Sequence, residues 1–247
     1  MTKLILTVDG VDVNQGENTG KTPLYQAADY GHVDVAKLLI KAGAIVNQAE
    51  KDGISPLWVA ASNGHVDLIK VIIEAGGDVN QAKTSGATPL FIASQEGHTD
   101  IVAILLGTPG IQINQARTTT GATPLFIASQ EGHTDIVAIL SGTPGIQINQ
   151  TDNDGFTPLF IASQKGHTDI VAILLGTPGI QINQHNNNNQ TPLSMASQNG
   201  HTEIVRLLLQ QPNIDINAGQ RGWPPLKLAK HFKHPEIIQL LTDAGAQ

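Results

Sequence analysis

The 247-residue chain contains no cysteine. That excludes disulfide scaffolds, thiolate metal sites and cysteine nucleophiles, and it is compatible with a reducing cytosol. Charge is sparse as well: 14% of the residues are Asp, Glu, Lys or Arg, against about 25% in an ordinary domain. The 14 Lys and Arg are outnumbered by 21 Asp and Glu, for a net charge of −7. Tracking a phosphate backbone needs clustered cations, so nucleic acid is not an expected partner. No apolar run approaches the ~18 residues of a membrane span. The apolar stretch within residues 1–7 is too short for a secretory signal. A cytoplasmic protein with no membrane attachment is therefore expected, and the two Asn-x-Thr triplets at Asn149 and Asn189 read as chance. Aromatic residues are scarce too, at 4%, so where they stand carries information.

What the chain does have is a packable 40% of hydrophobic residues, with 25 Gly and 13 Pro spread along its length. Dispersed breakers imply many short elements joined by frequent turns. The triplet Thr-Pro-Leu or a near relative recurs with its proline at positions 23, 56, 89, 124, 158, 192 and 225. A His follows each at fixed distance: His32, His65, His98, His133, His167, His201 and His234. An Asn closes six of the units, at Asn47, Asn80, Asn114, Asn149, Asn183 and Asn217. Residues 86–115 and 121–150 differ only at Leu106 and Ser141, and residues 155–184 differ from the first copy only at Phe156 and Lys165. This is recent internal duplication, and a period of 33–35 residues marks a repeat architecture.

Each unit reads as turn, helix, turn, helix, loop. In the third, Thr88 suits an N-cap and Pro89 the first helical position, which needs no amide donor. Leu90, Ala93 and Ser94 would form a narrow buried face. Gly97 would end this helix in the left-handed region. Thr99 and Asp100 open a second helix, with Ile101, Ile104 and Leu105 as its buried stripe, ended by residues 107–110. The acidic residue early in each second helix complements the helix dipole, so the net charge is as much structural as functional. Helices this short bury their apolar faces only by stacking on neighbours.

Residues 20–28 (Gly-Lys-Thr-Pro-Leu-Tyr-Gln-Ala-Ala), Gly31-His32 and the stretch to Asn47 resemble the ankyrin repeat, a 33-residue unit with the signature Thr-Pro-Leu-His-x-Ala. The resemblance covers about residues 4–245. It implies an all-α solenoid of stacked helix-turn-helix units with β-hairpin-like loops. The expected organisation is one ankyrin-repeat domain over 1–247. A half-repeat at 1–19 precedes repeats at 20–52, 53–85, 86–120, 121–154, 155–188 and 189–221, and a C-terminal cap spans 222–247. The pattern departs from the family in four places. The signature His is replaced by Tyr25, Trp58, Phe91, Phe126 and Phe160. Units from 86 to 217 carry a Pro-containing loop one residue longer. The last copy has Lys233 where Gly precedes the other His. Residues 4–14 match only the second half of a unit, so the chain either begins with an atypical cap or is cut from a longer protein.

The resemblance further implies an L-shaped stack with a concave groove lined by hairpin tips and first helices, which would hold another protein. The helix-end positions are Asp29 and Tyr30, Ser62 and Asn63, Gln95 and Glu96, Gln130 and Glu131, Gln164 and Lys165, and Gln198 and Asn199. The tip positions include Lys51 and Asp52, Thr84 and Ser85, Thr119 and Thr120, Asn153 and Asp154, and Asn187 and Asn188. Near-identical Gln–Glu pairs would suit an extended or repetitive ligand. The aromatic row has two readings, anchors for a partner or packing between successive units, and ring exposure separates them. Ser141, standing where sister copies have Leu, would be a weak point if buried.

No reading as an enzyme gains support. Equivalent His residues on helices packed ~8–10 Å apart cannot share a zinc ion needing ligands at ~2.0–2.1 Å, so each is expected to bond backbone at the inter-helix turn. Residues 16–22 look like a phosphate-binding loop but have three residues between the glycines where four are needed, and Pro23 follows at once. No catalytic residue, metal or cofactor is expected. The leading expectation is a monomeric, non-catalytic interaction scaffold. The alternatives are a substrate-recruiting segment of a larger enzyme and a structural or self-assembling solenoid, the latter cued by Leu4-Ile5-Leu6 as an open end.

Overall fold

A computed structural model describes residues 12–220 and 222–247 of the chain. Leu4, Ile5 and Leu6, with most of the expected half-repeat, lie outside the described residues. The described residues form an all-α repeat solenoid of fourteen short helices in seven pairs: α1 (Pro23–Asp29) and α2 (Val33–Lys41), α3 (Pro56–Ser62) and α4 (Val66–Glu74), α5 (Pro89–Gln95) and α6 (Thr99–Leu106), α7 (Pro124–Glu131) and α8 (Thr134–Ser141), α9 (Pro158–Lys165) and α10 (Thr168–Leu175), α11 (Pro192–Asn199) and α12 (Thr202–Leu209), α13 (Pro225–Phe232) and α14 (Pro235–Asp243). They fall into two compact units, residues 1–119 and 120–247.

The turn chemistry works as the residues require. Thr22, Ser55, Thr88, Thr123, Thr157 and Thr191 each accept a hydrogen bond from the backbone N–H three residues on, and a proline follows each at the first helical position. Among the first helices of the pairs only α13 lacks this cap, because Pro224 stands in the Thr place.

In the first unit, α1, α3 and α5 pack side by side, as do α2, α4 and α6; in the second, α7, α9, α11 and α13 form one row and α8, α10, α12 and α14 the other. A first helix between two neighbours has almost no solvent side. Pro56 through Ala61 of α3 and Pro158 through Ser163 of α9 are all buried. The narrow face expected for α5 is therefore wrong, since Pro89 through Ser94 are buried without a break. Periodicity locates a face only where the opposite side is wet. The stripe expected for α6 also needs correction: Ile101, Val102 and Leu105 are buried, while Ile104 is only half-buried. The same i, i+1, i+4 set recurs as Ile136, Val137, Leu140 and as Ile170, Val171, Leu174, because a second helix must cover both its own partner and its neighbours in the row.

The tips are hairpin-like without being strands. Asp152 N–H donates to the Phe156 carbonyl (3.0 Å) and Gly155 N–H to the Asp152 carbonyl (3.2 Å); residues 50–54 and 186–190 close in the same way. Among the described residues the sole bridge is between Gln220 and Trp223. Residues 17–21, the phosphate-loop look-alike, form one more such tip.

Candidate functional site

Surface residues become candidates for binding only after the seams between repeats have taken what they need. Three hydrogen-bond ladders, two of side chains and one of backbone, form those seams. Each His Nε2 donates to a carbonyl at the end of the preceding first helix: His65 to Asp29 (3.1 Å), His98 to Ser62 (3.0 Å), His167 to Gln130 (3.0 Å), His201 to Gln164 (3.1 Å) and His234 to Gln198 (2.9 Å). The expectation of a backbone bond at the inter-helix turn is met, with the turn belonging to the neighbouring repeat. The His ring also lies against the neighbour's glycine. A Cβ on Gly132 would sit 2.8 Å from His167 Cε1, and one on Gly166 2.7 Å from His201 Cε1. Both glycines have φ of +86°, so conformation and space each require glycine there. In the last unit Lys233 takes that place at φ +63°.

The Asn ladder is bidentate. Asn149 Nδ2 donates to the Gly179 carbonyl (2.8 Å) while its Oδ1 accepts from Gln181 N–H (2.9 Å). Asn183 does the same to the Asn213 carbonyl (2.7 Å) and Asp215 N–H (2.9 Å), and Asn47 and Asn80 repeat it in the first unit. The third ladder is backbone, running tip to tip: Thr84 N–H donates to the Asp52 carbonyl (2.9 Å), Asn153 N–H to the Thr120 carbonyl (2.9 Å) and Asn187 N–H to the Asp154 carbonyl (3.0 Å).

The aromatic row belongs to these seams. Tyr25, Trp58, Phe91, Phe126 and Phe160 are at most 7% exposed. Trp58 Nε1 donates to the Ala87 carbonyl of the next unit (2.9 Å), and Phe160 stacks on Phe156 at 4.8 Å. The anchor reading of these five residues is therefore corrected, because a ring enclosed on both sides offers no surface to a partner. Burial, with the Asp29 and Glu50 carboxylates adding to it, pushes the Tyr25 hydroxyl from 10.0 up to about 12.

The helix-end pairs divide cleanly. The first members, Asp29, Ser62, Gln95, Gln130, Gln164 and Gln198, are half-buried, and five of them supply the carbonyls used by the His ladder. The second members, Tyr30, Asn63, Glu96, Glu131, Lys165 and Asn199, are exposed. Of these, Asn63 spends its amide on Asp29 (2.9 Å to carbonyl and to carboxylate) and Asn199 on the Gln164 carbonyl (2.8 Å). Gln95 and Gln130 donate to the adjacent Glu96 and Glu131 carboxylates at 2.9 and 2.8 Å. Tyr30 is the most exposed large apolar side chain among the described residues, at 69%. At the tips Lys51, Asp52, Thr84, Thr119, Asn153 and Asp154 are exposed, whereas Ser85 is half-buried.

A seventh helix-end pair escaped the sequence reading. His231 and Phe232 stand at the same distance from Pro225 as Gln198 and Asn199 do from Pro192, and both are exposed. The spacing alone would have found them; treating the last copy as a worn cap concealed it. Among the described residues, no group of three or more His, Asp or Glu side chains lies close enough to hold a metal ion.

The chain matches the sequence profile described as Ankyrin repeats (3 copies) over residues 45–117, 112–186 and 178–247, and that described as Ankyrin repeat over residues 19–51. No curated protein matches it.

Proposed function

Because the chain belongs to the ankyrin repeat family, whose repeats are generally protein–protein interaction modules, we propose that it is a non-catalytic scaffold, acting as a monomer in the cytoplasm, that holds another protein on its helix-end and tip side chains. The observation that carries this reading is the split within the helix-end pairs. In five of the six pairs the first position serves the seam, and in all six the adjacent one is exposed and varied: Tyr30, Asn63, Glu96, Glu131, Lys165, Asn199. Fold maintenance accounts for the first position and for two of the exposed amides, but not for the identity of Tyr30, Glu131 or Lys165. No described helix is long and apolar enough to cross a membrane, which leaves these positions facing solvent and whatever binds from it.

The test uses a partner captured from the source cell and two variants, one per compact unit. The first combines Tyr30→Ser, Lys51→Ala and Asp52→Ala. The second combines Glu131→Ala, Asp154→Ala and Lys165→Ala. At least one is expected to weaken binding by tenfold or more, with the melting temperature unchanged. Full affinity in both would overturn the reading.

A further inference from the structure

Four dipeptides among the described residues set an Asn or Asp directly before a glycine: Asp52-Gly53, Asn63-Gly64, Asp154-Gly155 and Asn199-Gly200. In this pairing a backbone can modify itself. The glycine nitrogen, with no Cβ beside it to hinder approach, can attack the γ-carbon of the preceding side chain. Exposure does not separate the four, since Asp52, Asn63, Asp154 and Asn199 are all exposed.

The glycine N–H does separate them. Gly53 N–H donates to the Glu50 carbonyl (3.0 Å), Gly155 N–H to the Asp152 carbonyl (3.2 Å) and Gly200 N–H to the Ala196 carbonyl. Gly64 N–H has no acceptor among the described residues. The last bond of α3 runs from Asn63 N–H to the Val59 carbonyl (3.0 Å), and the Ala60 carbonyl accepts from His65 N–H alone (3.0 Å). In α11 the matching Ala196 carbonyl accepts from both Gly200 and His201. A bonded N–H gives up its proton less readily, and the bond holds ψ of the residue before it. Asn63 sits at ψ 1°, and ring closure requires it to rotate away from there. The two Asn side chains are both engaged, Asn63 with Asp29 and Asn199 with the Gln164 carbonyl (2.8 Å), so the backbone makes the difference. The two Asp residues differ in chemistry as well, since a carboxylate offers no amide to expel.

We propose that Asn63-Gly64 is a self-modification site, at which Asn63 deamidates and loosens the seam between α1 and α3. Gly64 nitrogen loses its proton to solvent and bonds to Asn63 Cγ, and the side-chain nitrogen leaves as ammonia. Water then opens the resulting five-membered imide at one of its two carbonyls, giving an aspartyl or an isoaspartyl residue. The amide that is lost has a task. Asn63 Nδ2 donates to the Asp29 carbonyl and carboxylate, each at 2.9 Å, and His65 Nε2 donates to the same carbonyl at 3.1 Å. The product carboxylate has no proton to donate and stands against the Asp29 carboxylate, where like charges repel. The isoaspartyl form also adds a methylene to the main chain two residues before His65. The change falls beside exposed Tyr30 and adds a negative charge to a helix-end surface. It does not depend on the scaffold reading.

The experiment incubates the full chain at about pH 8 and follows Asn63 and Asn199 by peptide mapping, in water enriched in oxygen-18. Asn63 is expected to gain the mass of deamidation plus one heavy oxygen, about fivefold or more faster than Asn199, a factor of the size one retained hydrogen bond is worth. Both sites read Asn-Gly-His, so in the guanidinium-unfolded chain their rates should converge. Equal rates in the folded chain, or a difference that persists after unfolding, would overturn the proposal. The consequence is tested with Asn63→Asp and Asn63→Ser, which both remove the amide while only the first adds a charge. Asn63→Asp is expected to melt below Asn63→Ser at about pH 7 and level with it at about pH 3, where carboxyls are largely protonated. Equal melting at both pH values would overturn the seam-loosening effect and the proposal with it.

Discussion

Asp152 and Asn186 close successive tips with the same hydrogen bonds, one with a charge and one without. Asp152 Oδ1 accepts from Asp154 N–H (3.0 Å) and Phe156 N–H (2.8 Å); Asn186 Oδ1 accepts from Asn188 N–H (3.0 Å) and Gln190 N–H (2.9 Å). Burial holds the Asp152 carboxyl above its ordinary 3.8, and the Asp154 carboxylate adds to this against the lowering effect of the backbone donors. A carboxyl whose pKa is raised by folding favours the protonated folded state. Its contribution is complete below about pH 4 and is lost as pH rises through the folded-state value. Asp152→Asn is therefore expected to raise the melting temperature more at about pH 7 than at about pH 3. An advantage that grows on acidification would refute this account. Single residues also show what the sequence could convey. The N-cap Thr and Pro pairs and the αL glycines act through local backbone geometry, so they were readable. The burial of Phe91 and Phe160 was not, because a one-letter pattern records a position without saying what closes over it. The donor of Trp58 reaches a carbonyl 29 residues away, which no local rule anticipates.

Among elements, α8 and α10 make the sharpest comparison. They are identical except that Ser141 ends the one where Leu175 ends the other. Both positions are half-buried, and the Ser141 hydroxyl oxygen is enclosed without a partner among the described residues. Enclosing an unpaired hydroxyl costs about 1–3 kcal/mol, and the leucine's apolar burial is missing too. Since Leu175 shows that the larger side chain fits this environment, Ser141→Leu is expected to stabilise the protein by about 1 kcal/mol or more in denaturant unfolding. In the unsubstituted chain, amides of residues 121–150 should exchange faster than those of 155–184. Equal exchange in the two segments would sink the idea of a local weak point. The second helices also show why the buried stripe was misdrawn. The sequence offers Ile101, Val102, Ile104 and Leu105 as equally apolar, and only contact with two neighbours at once selects Val102 over Ile104.

At the scale of the whole molecule, the α13–α14 pair departs from the other pairs at positions that serve the seams elsewhere. Ser194 and Ser197 of α11 are buried, and the equivalent residues of α13 are Lys227 and Lys230. With Lys233 in the glycine place, three positions that serve seams in other units carry a cation here. A polar outer face is what a terminal repeat needs to stay unstacked. Restoring the interior residues with Lys227→Ser, Lys230→Ser and Lys233→Gly is expected to produce self-association, read as a concentration-dependent rise in sedimentation coefficient. A variant that stays monomeric at about 100 µM would remove the capping role. The repeat architecture was legible because its signal recurs seven times in phase. The boundary between compact units at Thr119 and Thr120 was not, although the longest proline interval, 35 residues from Pro89 to Pro124, spans it. The helix-end positions were legible as positions; which member of each pair belongs to the seam depended on where the neighbouring His reaches.

The seam bonds have a further consequence for inheritance. Gly132 receives His167 as Gly166 receives His201, and Asn149 grips the next loop as Asn183 does. Excising residues 155–188 would bring His201 to Gly132 and the loop at Asn213 to Asn149, with every seam bond remade by the same kinds of atoms. Copy number is thus decoupled from foldability. Near-verbatim stretches such as 121–150 and 155–184 are also what unequal recombination needs, so such an array can lengthen or shorten its exposed face by whole units between generations without having to evolve a new interface.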